Sequence, residues 1–422
     1  MRISILRVRN TQLLIVCLLV GISFQSFSAK PKSEKGLINL HGFNLAKEKI
    51  ALDGFWYFTD NQLYSEQTLR IHQLTLVEFP QLFNQIRASK SGLGYGNYSL
   101  QVVLPANTKD IAFELPQIYC AYELWINNSL IAKNGVVGTT REETIPQWLP
   151  QIVSYVPQSD TLRIQLVVAN FHHNLGGVRE SIFIAGPDKI IGQSGWTELS
   201  IILEFLVLML ITILALLFYF LRSKRRVVFY FAILALAWGV RAVFSNQYLV
   251  IQYFPQFDWN LMIHIEYISL YVTMIYAILF LGRVFGEEDN RIVKYFFVGG
   301  NLFFIGFTII LSPLHFTLLL PAYMVMSALA LIYAAFVIIR ALLNEREGAG
   351  YIMIVIFLGI FLFGYDILSY QGLFVYNLQV LSYGYISIFL LLGMSLLYHL
   401  QIIKGNRTRN IMTFEDYYKS KK

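Results

Sequence analysis

Cysteine is almost missing from this 422-residue chain, which holds two, Cys17 and Cys120. Cys17 falls inside an apolar run at the N-terminus, so a chain trimmed of that run carries Cys120 alone and no intramolecular disulfide can form. Charged residues are scarce at 14%, against 56% apolar residues and a mean hydropathy of +0.54. A chain of that composition cannot bury its apolar side chains in one water-facing core, so part of it must face lipid. The motifs of common chemistries are missing too: there is no G-x-S-x-G, H-E-x-x-H, phosphate-binding loop or paired intramembrane aspartate, which argues against an enzyme. His172 and His173 are adjacent and, on a strand, point to opposite faces; no Cys or carboxylate stands at ligand spacing beside them. No metal and no cofactor is therefore expected. Retinal is excluded because the last apolar block has no lysine before Lys404.

The formal charge of +7 is unevenly spread. Met1–Ser28 has three arginines and no acid, Ala29–Thr197 has fourteen basic and fourteen acidic residues, and Glu198–Lys422 has sixteen and twelve. The soluble-looking region is neutral, which excludes a nucleic-acid-binding face; the basic excess belongs to the part that meets the lipid bilayer. Residues 1–28 read as a secretory signal, with Arg2, Arg7 and Arg9, an apolar stretch from Leu13 to Ile22, and Ser26 and Ser28 at the small positions of a cleavage site.

From about Leu40 to Lys189 the pattern alternates with period two, as in Tyr98–Leu104, Ile111–Leu115, Ala121–Ile126, Leu162–Val168 and Ser181–Ile184. Asn127-Asn128, Asn134-Gly135, Gly176-Gly177 and Gly186-Pro187 punctuate it. Short strands broken by turn residues predict an all-β sandwich over residues 29–197. Four segments occur in order: Leu52-Asp53-Gly54-Phe55-Trp56-Tyr57-Phe58, Gly92-Leu93-Gly94-Tyr95-Gly96-Asn97-Tyr98, Tyr122-Glu123-Leu124-Trp125-Ile126-Asn127-Asn128 and Val168-Ala169-Asn170-Phe171-His172-His173. Their succession resembles the jelly-roll domain shared by the sugar-binding module of some glycosidases and by bacterial seven-helix receptors. The resemblance implies a galactose-binding-like jelly roll, with a sugar ligand as an analogy only. Trp148, between Pro146 and Pro150 in a loop, Tyr95 and His172 are the candidate ligand-binding residues of this ectodomain. Trp56 and Trp125 lie in strand patterns and are expected in the core.

Between Glu198 and Ile403 the apolar residues come in blocks of about twenty, the length that crosses ~30 Å of hydrocarbon. The blocks predict seven helices at 199–221, 227–245, 260–282, 292–312, 316–341, 350–371 and 378–402. The fold class is thus a multi-domain membrane protein, a jelly-roll ectodomain followed by an all-α seven-transmembrane bundle over residues 198–403 and a basic tail over 404–422. Alternate loops hold fifteen basic residues, among them Arg222, Arg226, Arg283 and Arg346, whereas Ser245–Trp259, Ser312–His315 and Gln371–Gln379 hold none. The positive-inside rule then puts the ectodomain outside the bacterial inner membrane and the C-terminus in the cytoplasm.

Glu204, Arg241, His264, Glu266 and Asp366 fall within the spans, all in the outer half. Ionisable groups there are costly, at least ~2.5 kcal/mol near the bilayer centre, and usually face the bundle interior. A polar cluster under the ectodomain is expected, with Arg241 as counter-charge to one or more carboxylates. Gly299, Gly300 and Gly306, Gly359 and Gly364, and Gly384 and Gly393 are expected at helix contacts. In the tail, Phe414, Tyr417 and Tyr418 would share one helical face and could dock a cytoplasmic protein.

Trp238-Gly239-Val240-Arg241, and Trp259 followed by Ile265-Glu266-Tyr267-Ile268-Ser269, complete a resemblance to bacterial seven-transmembrane receptors with diverse intracellular signalling modules. Members usually continue into a kinase, cyclase or DNA-binding module, and Lys404–Lys422 is too short for one. The resemblance implies a receptor for an unknown extracytoplasmic small molecule or sugar; with so short a tail, either output passes to a separate cytoplasmic signalling protein or the signalling domain has been lost. The alternatives are a transporter or a membrane-embedded enzyme with a substrate-binding ectodomain.

Overall fold

The computed structural model describes residues 31–63, 74–346, 348–370 and 377–419, with side chains at 363, 366–370 and 401–419 left outside. The predicted signal sequence, the Asp366 carboxyl and the Phe414, Tyr417 and Tyr418 rings therefore lie outside the described residues.

In chain order the strands begin with β1 (Leu37–Asn39), β2 (Ile50–Ala51), β3 (Gly54–Asp60), β4 (Thr75–Phe79), β5 (Gly94–Val103) and β6 (Ile111–Leu115). They continue with β7 (Ile118–Tyr119), β8 (Ala121–Ile126), β9 (Ser129–Asn134), β10 (Gln151–Tyr155), β11 (Thr161–Asn170), β12 (Gly177–Val178) and β13 (Phe183–Ala185). One sheet has the order β4-β3-β5-β11-β8-β9, with β1 parallel to the end of β5; the second is β10-β6-β13-β2. β12 and β7 form a small third ladder.

The two main sheets close over one core. Leu100 and Val102 of β5, Ile111, Phe113 and Leu115 of β6, and Ile164, Leu166 and Val168 of β11 all belong to it. Trp56 is fully buried, donates from Nε1 to Leu52 O at 2.8 Å and stacks on Phe79 with centroids 4.0 Å apart. Trp125 departs from expectation. Tyr122, Leu124 and Ile126 take the inward positions of β8, so period two turns Trp125 outward, half-buried, with Nε1 donating to Glu123 Oε2 at 3.0 Å.

Seven long helices follow: α1 (Pro187–Phe218), α2 (Arg226–Phe244), α3 (Trp259–Val284), α4 (Arg291–Ile310), α5 (Leu320–Leu343), α6 (Ala349–Tyr370) and α7 (Leu378–Lys419). Among the described residues six helical segments are long and apolar enough to cross a membrane; the seventh helix, α6, has an apolar described stretch over Ala349–Leu362. Apolar side chains point away from the bundle as lipid-facing ones do, with Leu210, Ile310 and Ile332 at 57%, 80% and 66% exposure.

Local signals set the helix ends. Pro187 stands in the first turn of α1, so that helix starts well before residue 199. α1 runs into a π-turn at Tyr219–Ser223, and Lys224 at φ +45° ends it. Asp258 caps α3 by accepting from Leu261 N at 2.7 Å, and Asn290 caps α4 by accepting from Ile292 N at 2.9 Å. A Cβ on Gly239 would lie 2.5 Å from Met209 Cε, so α1 and α2 meet there because the residue has no side chain. Gly300 and Gly384 sit in similar contacts, against Met326 and Leu362, whereas Gly299 and Gly306 face open space and serve no such approach.

Trp56→Ala should cost about 3–5 kcal/mol by the usual scale for a buried large aromatic, read as a lowered melting temperature of the sheet domain. Burial pushes the Cys120 thiol well above its ordinary pKa, so it should resist maleimide until the chain unfolds, and reductant should leave the melt unchanged.

Candidate functional site

The sheet domain is joined to the helices by a buried aromatic cluster around Trp148, itself 2% exposed. Local bonding puts it there. Gln147 N donates to Cys120 O at 3.1 Å, and Asn134 Nδ2 donates to Gln147 O and Leu149 O at 3.2 and 3.3 Å, so the loop is pinned on both sides of the indole. The ring then meets Tyr119 at 5.0 Å, His173 at 5.2 Å, Trp259 at 5.5 Å and Tyr248 at 5.6 Å. Trp259 is the first residue of α3, and Tyr248 precedes the short helix Leu249–Tyr253. Edge-on aromatic contacts of this kind add about 0.5–1.5 kcal/mol each beyond area burial.

Polar ties reinforce the seam. Tyr248 OH donates to Gln117 Oε1 at 2.9 Å, Gln147 Nε2 donates to Pro255 O at 3.4 Å, and Asn174 N donates to Thr317 Oγ1 at 3.3 Å. Behind it, the fully buried Asn170 organises the loop after β11. Its Nδ2 donates to Gly92 O, His173 O and Leu175 O at 2.7–3.0 Å, while Oδ1 accepts from His172 N, His173 N and Cys120 Sγ. Leu175 N donates to His173 Nδ1 at 3.0 Å, which fits the neutral Nε2–H tautomer. His173 stacks on Tyr119 at 5.0 Å, and burial pulls its pKa down to about 4.

An open cleft of about 440 Å³ lies beside the seam, walled by Arg141, Gln147 and His172 from the sheet domain and by Trp259, Asn260 and Ser312 from the helical half. His172 is half-buried, and burial and then the Arg141 charge lower its pKa. Its Nδ1 and the Trp259 Nε1 are buried with no hydrogen-bond partner among the described residues.

Of the ligand candidates read from the sequence, His172 lines this cleft. Trp148 offers no open stacking face, a correction that follows from its loop folding inward onto α3. Tyr95 stands apart, half-buried on β5, with its main-chain oxygen accepting from Arg87 Nη2 at 2.9 Å. Both histidines lie past the end of β11, and no group of three or more His, Cys, Asp or Glu among the described residues could hold a metal.

Within the helical half, Glu204 is 4% exposed and accepts from Trp238 Nε1 at 3.0 Å. Arg241 donates from Nη1 to the main-chain oxygen of Glu266 at 3.0 Å, tying α2 to α3. The same oxygen accepts from Ser269 Oγ at 2.8 Å. Among the described residues Arg241 forms no ion pair within 4.0 Å and is bonded to backbone instead; the Asp366 carboxyl, one of its expected counter-charges, lies outside them. Glu204 and Glu266 both nevertheless sit in its field, and Glu266 Oε2 is buried without a partner. His264 is not in this cluster. Its Nδ1 lies 2.6 Å from Asn260 O and its ring 5.1 Å from Phe316, on the other side of α3.

Trp238, Trp259, Tyr248 and Asn170 are site residues that the sequence reading did not single out. Trp238 and Trp259 stood in the segments that resembled receptor motifs, and Asn170 in one that resembled the jelly roll; Tyr119 and Tyr248 gave no signal, since their role depends on contacts far away in the chain.

Residues 199–399 match the family model described as 7TM diverse intracellular signalling. The helical half is a seven-transmembrane domain of that receptor-type signalling family, in a multi-pass membrane protein. Among solved structures the chain is similar to a β-glucuronidase of an uncultured Clostridium species, at 12% identity over 34% of this chain and 30% of that one, with a TM-score of 0.28. It is similar also to a Faecalibacterium prausnitzii β-glucuronidase, at 14% over 34% and 32% with a TM-score of 0.27. A glycosyl hydrolase family 2 member of Bacteroides cellulosilyticus matches at 18% over 32% and 20%, also at 0.27. The chain spans about a third or less of those proteins' length. No curated protein matches it.

Because His173 is neutral and buried, its contribution is complete above its ordinary value of 6.5 and is lost as pH falls through about 4. At about 1.4 kcal/mol per unit, roughly 3 kcal/mol of stability should go across that window. The thermal melt of the full chain in detergent should show this slope, and His173→Asn should flatten it. Arg241→Ala removes a charged hydrogen bond and should cost about 1.5–3 kcal/mol, with Arg241→Lys recovering part of it in the same melt.

Proposed function

We propose that the protein is an inner-membrane receptor whose sheet domain is extracytoplasmic, which binds a small polar, carbohydrate-like ligand in the seam cleft and signals to a separate cytoplasmic protein. The observation that carries this reading is that both domains wall the cleft, so a ligand there senses and sets their relation. The chemistry of the walls supports the ligand class: Gln147, Gln256 and Asn260 offer amides, Ser312 a hydroxyl, and Phe257 and Trp259 aromatic surface. The unpartnered His172 Nδ1 and Trp259 Nε1 are polar atoms that ligand oxygens would satisfy once the seam loosens. Orientation rests on the basic residues of the loops on the side away from the sheets.

Two measurements check this. Alkaline phosphatase fused after Asn246 or Asn377 should be active and after Arg225 inactive; the reverse pattern overturns the orientation. A panel of neutral and acidic mono- and disaccharides should include members that raise the melting temperature of the full chain, with the gain lost in Asn260→Ala and His172→Ala. A panel without any such shift rejects the carbohydrate class, and turnover or vesicle flux of a panel member rejects the receptor reading.

A further inference from the structure

On the opposite side of the bundle from the sheets, the connection between α3 and α4 carries Glu287, Glu288 and Asp289 in a row. Carboxylates in a solvent-facing loop ordinarily stay hydrated. Here the Glu288 and Asp289 side chains are each only 3% exposed, and both are held from α5 and the residues after it. Glu288 Oε1 accepts from Arg346 Nε at 2.6 Å and from Asn344 Nδ2 at 3.2 Å, and Arg346 also pairs with the exposed Glu287. Asp289 accepts from Tyr333 OH at 2.8 Å and pairs with Lys294, while Tyr333 OH accepts from Asn290 N at 2.7 Å. Gly282 makes the approach feasible, since a Cβ there would lie 2.5 Å from Asp289 Oδ2. The turn is thus clasped to α5 and to the α5–α6 connection by two buried carboxylates.

The clasp is joined to the seam by one element. α3 is a 26-residue helix whose first residue, Trp259, packs on Trp148, and whose last residue, Val284, directly precedes the clasped turn. At about 1.5 Å per residue it spans about 39 Å without a break. About a quarter of the way along from Trp259, Arg241 fixes it to α2 through Glu266 O. A rigid helix held at both ends by contacts that can be made or broken is a two-state element that both sites can bias.

We propose that α3 is the transmission rod of this receptor and that the Glu288/Asp289 clasp is the gate it works: displacement of Trp259 at the seam releases the acidic turn from Arg346, Asn344 and Tyr333. Closed, the turn ties α3 and α4 to α5; open, it frees two carboxylates to water and lets the ends of those helices part. This rests on the receptor reading for which face is cytoplasmic, but the coupling itself needs no ligand.

Hydrogen exchange of the full chain in nanodiscs, followed at amides 285–290, tests it. Arg346→Gln should speed exchange there on the order of tenfold or more. Trp148→Ala, or Trp259→Phe where the first does not fold, should speed the same amides several-fold, while Trp56→Phe in the sheet core leaves them unchanged. Exchange at amides 285–290 that ignores Arg346→Gln overturns the clasp, and exchange that answers Arg346→Gln but neither seam variant overturns the rod. A missing sugar response with intact seam-to-clasp coupling would count against the proposed ligand and leave this inference standing.

Discussion

The packing of Trp148 against Trp259 is the contact on which the relation of the two halves depends. A sheet domain and a helix bundle joined only through Gly186-Pro187 would be free to swing. The indole of a loop pinned by Asn134 and Cys120 O fills the space over the start of α3, and the surrounding rings exclude water from it. Asn170 acts one step behind, because its amide fixes the loop that presents His173 to the same cluster. The seam is therefore specified by side chains of the sheet domain whose own positions are set by backbone hydrogen bonds.

In the helical half the same economy of polar groups recurs. Lipid offers no partner to a stranded donor or acceptor, so polar side chains there are best answered from another helix or from backbone, though Glu266 Oε2 has no such answer among the described residues. Trp238 answers Glu204, and Arg241 answers Glu266 O, whose peptide already has an intrahelical role. A guanidinium bonded to a carbonyl and set among carboxylates it does not touch holds α2 against α3 without committing to one acid. That arrangement fits a joint that must let helices shift better than a closed ion pair would.

The period-two runs and the twenty-residue apolar blocks were enough to read the architecture, because lipid and a sandwich core impose spacing rules on every residue. Ile111–Leu115 and Ala121–Ile126 are strands with the bounds expected of them. The family resemblance rested on local strings and agrees with the model matched over 199–399. Trp125 was misjudged because a strand pattern says that one face is buried, not which one; Tyr122, Leu124 and Ile126 decide that only when seen together. Trp148 was misjudged for a different reason. Two flanking prolines mark a loop, yet a loop that lands on another domain is buried by residues a hundred positions away, and no local pattern carries that. For Arg241, charge complementarity suggests a carboxylate partner, whereas the bond it makes among the described residues is to the Glu266 main-chain oxygen, a contact that no charge pattern signals.

His172 Nδ1, His173 Nε2 and Trp259 Nε1 are all buried without a hydrogen-bond partner among the described residues, and all three lie at the seam. Each such group costs about 1–3 kcal/mol relative to a satisfied one. A junction that concentrates them is held closed by aromatic packing against a standing polar penalty, and the two terms are of similar size. Such a balance is poised: a modest gain in partners for those nitrogens, from water or a ligand in the adjoining cleft, is enough to favour a loosened seam. Asn170, bonded to the same loop, has both its amide nitrogen and its amide oxygen satisfied. The contrast between the saturated Asn170 and the unanswered ring nitrogens next to it marks the seam as a place where aromatic packing and polar satisfaction pull against each other.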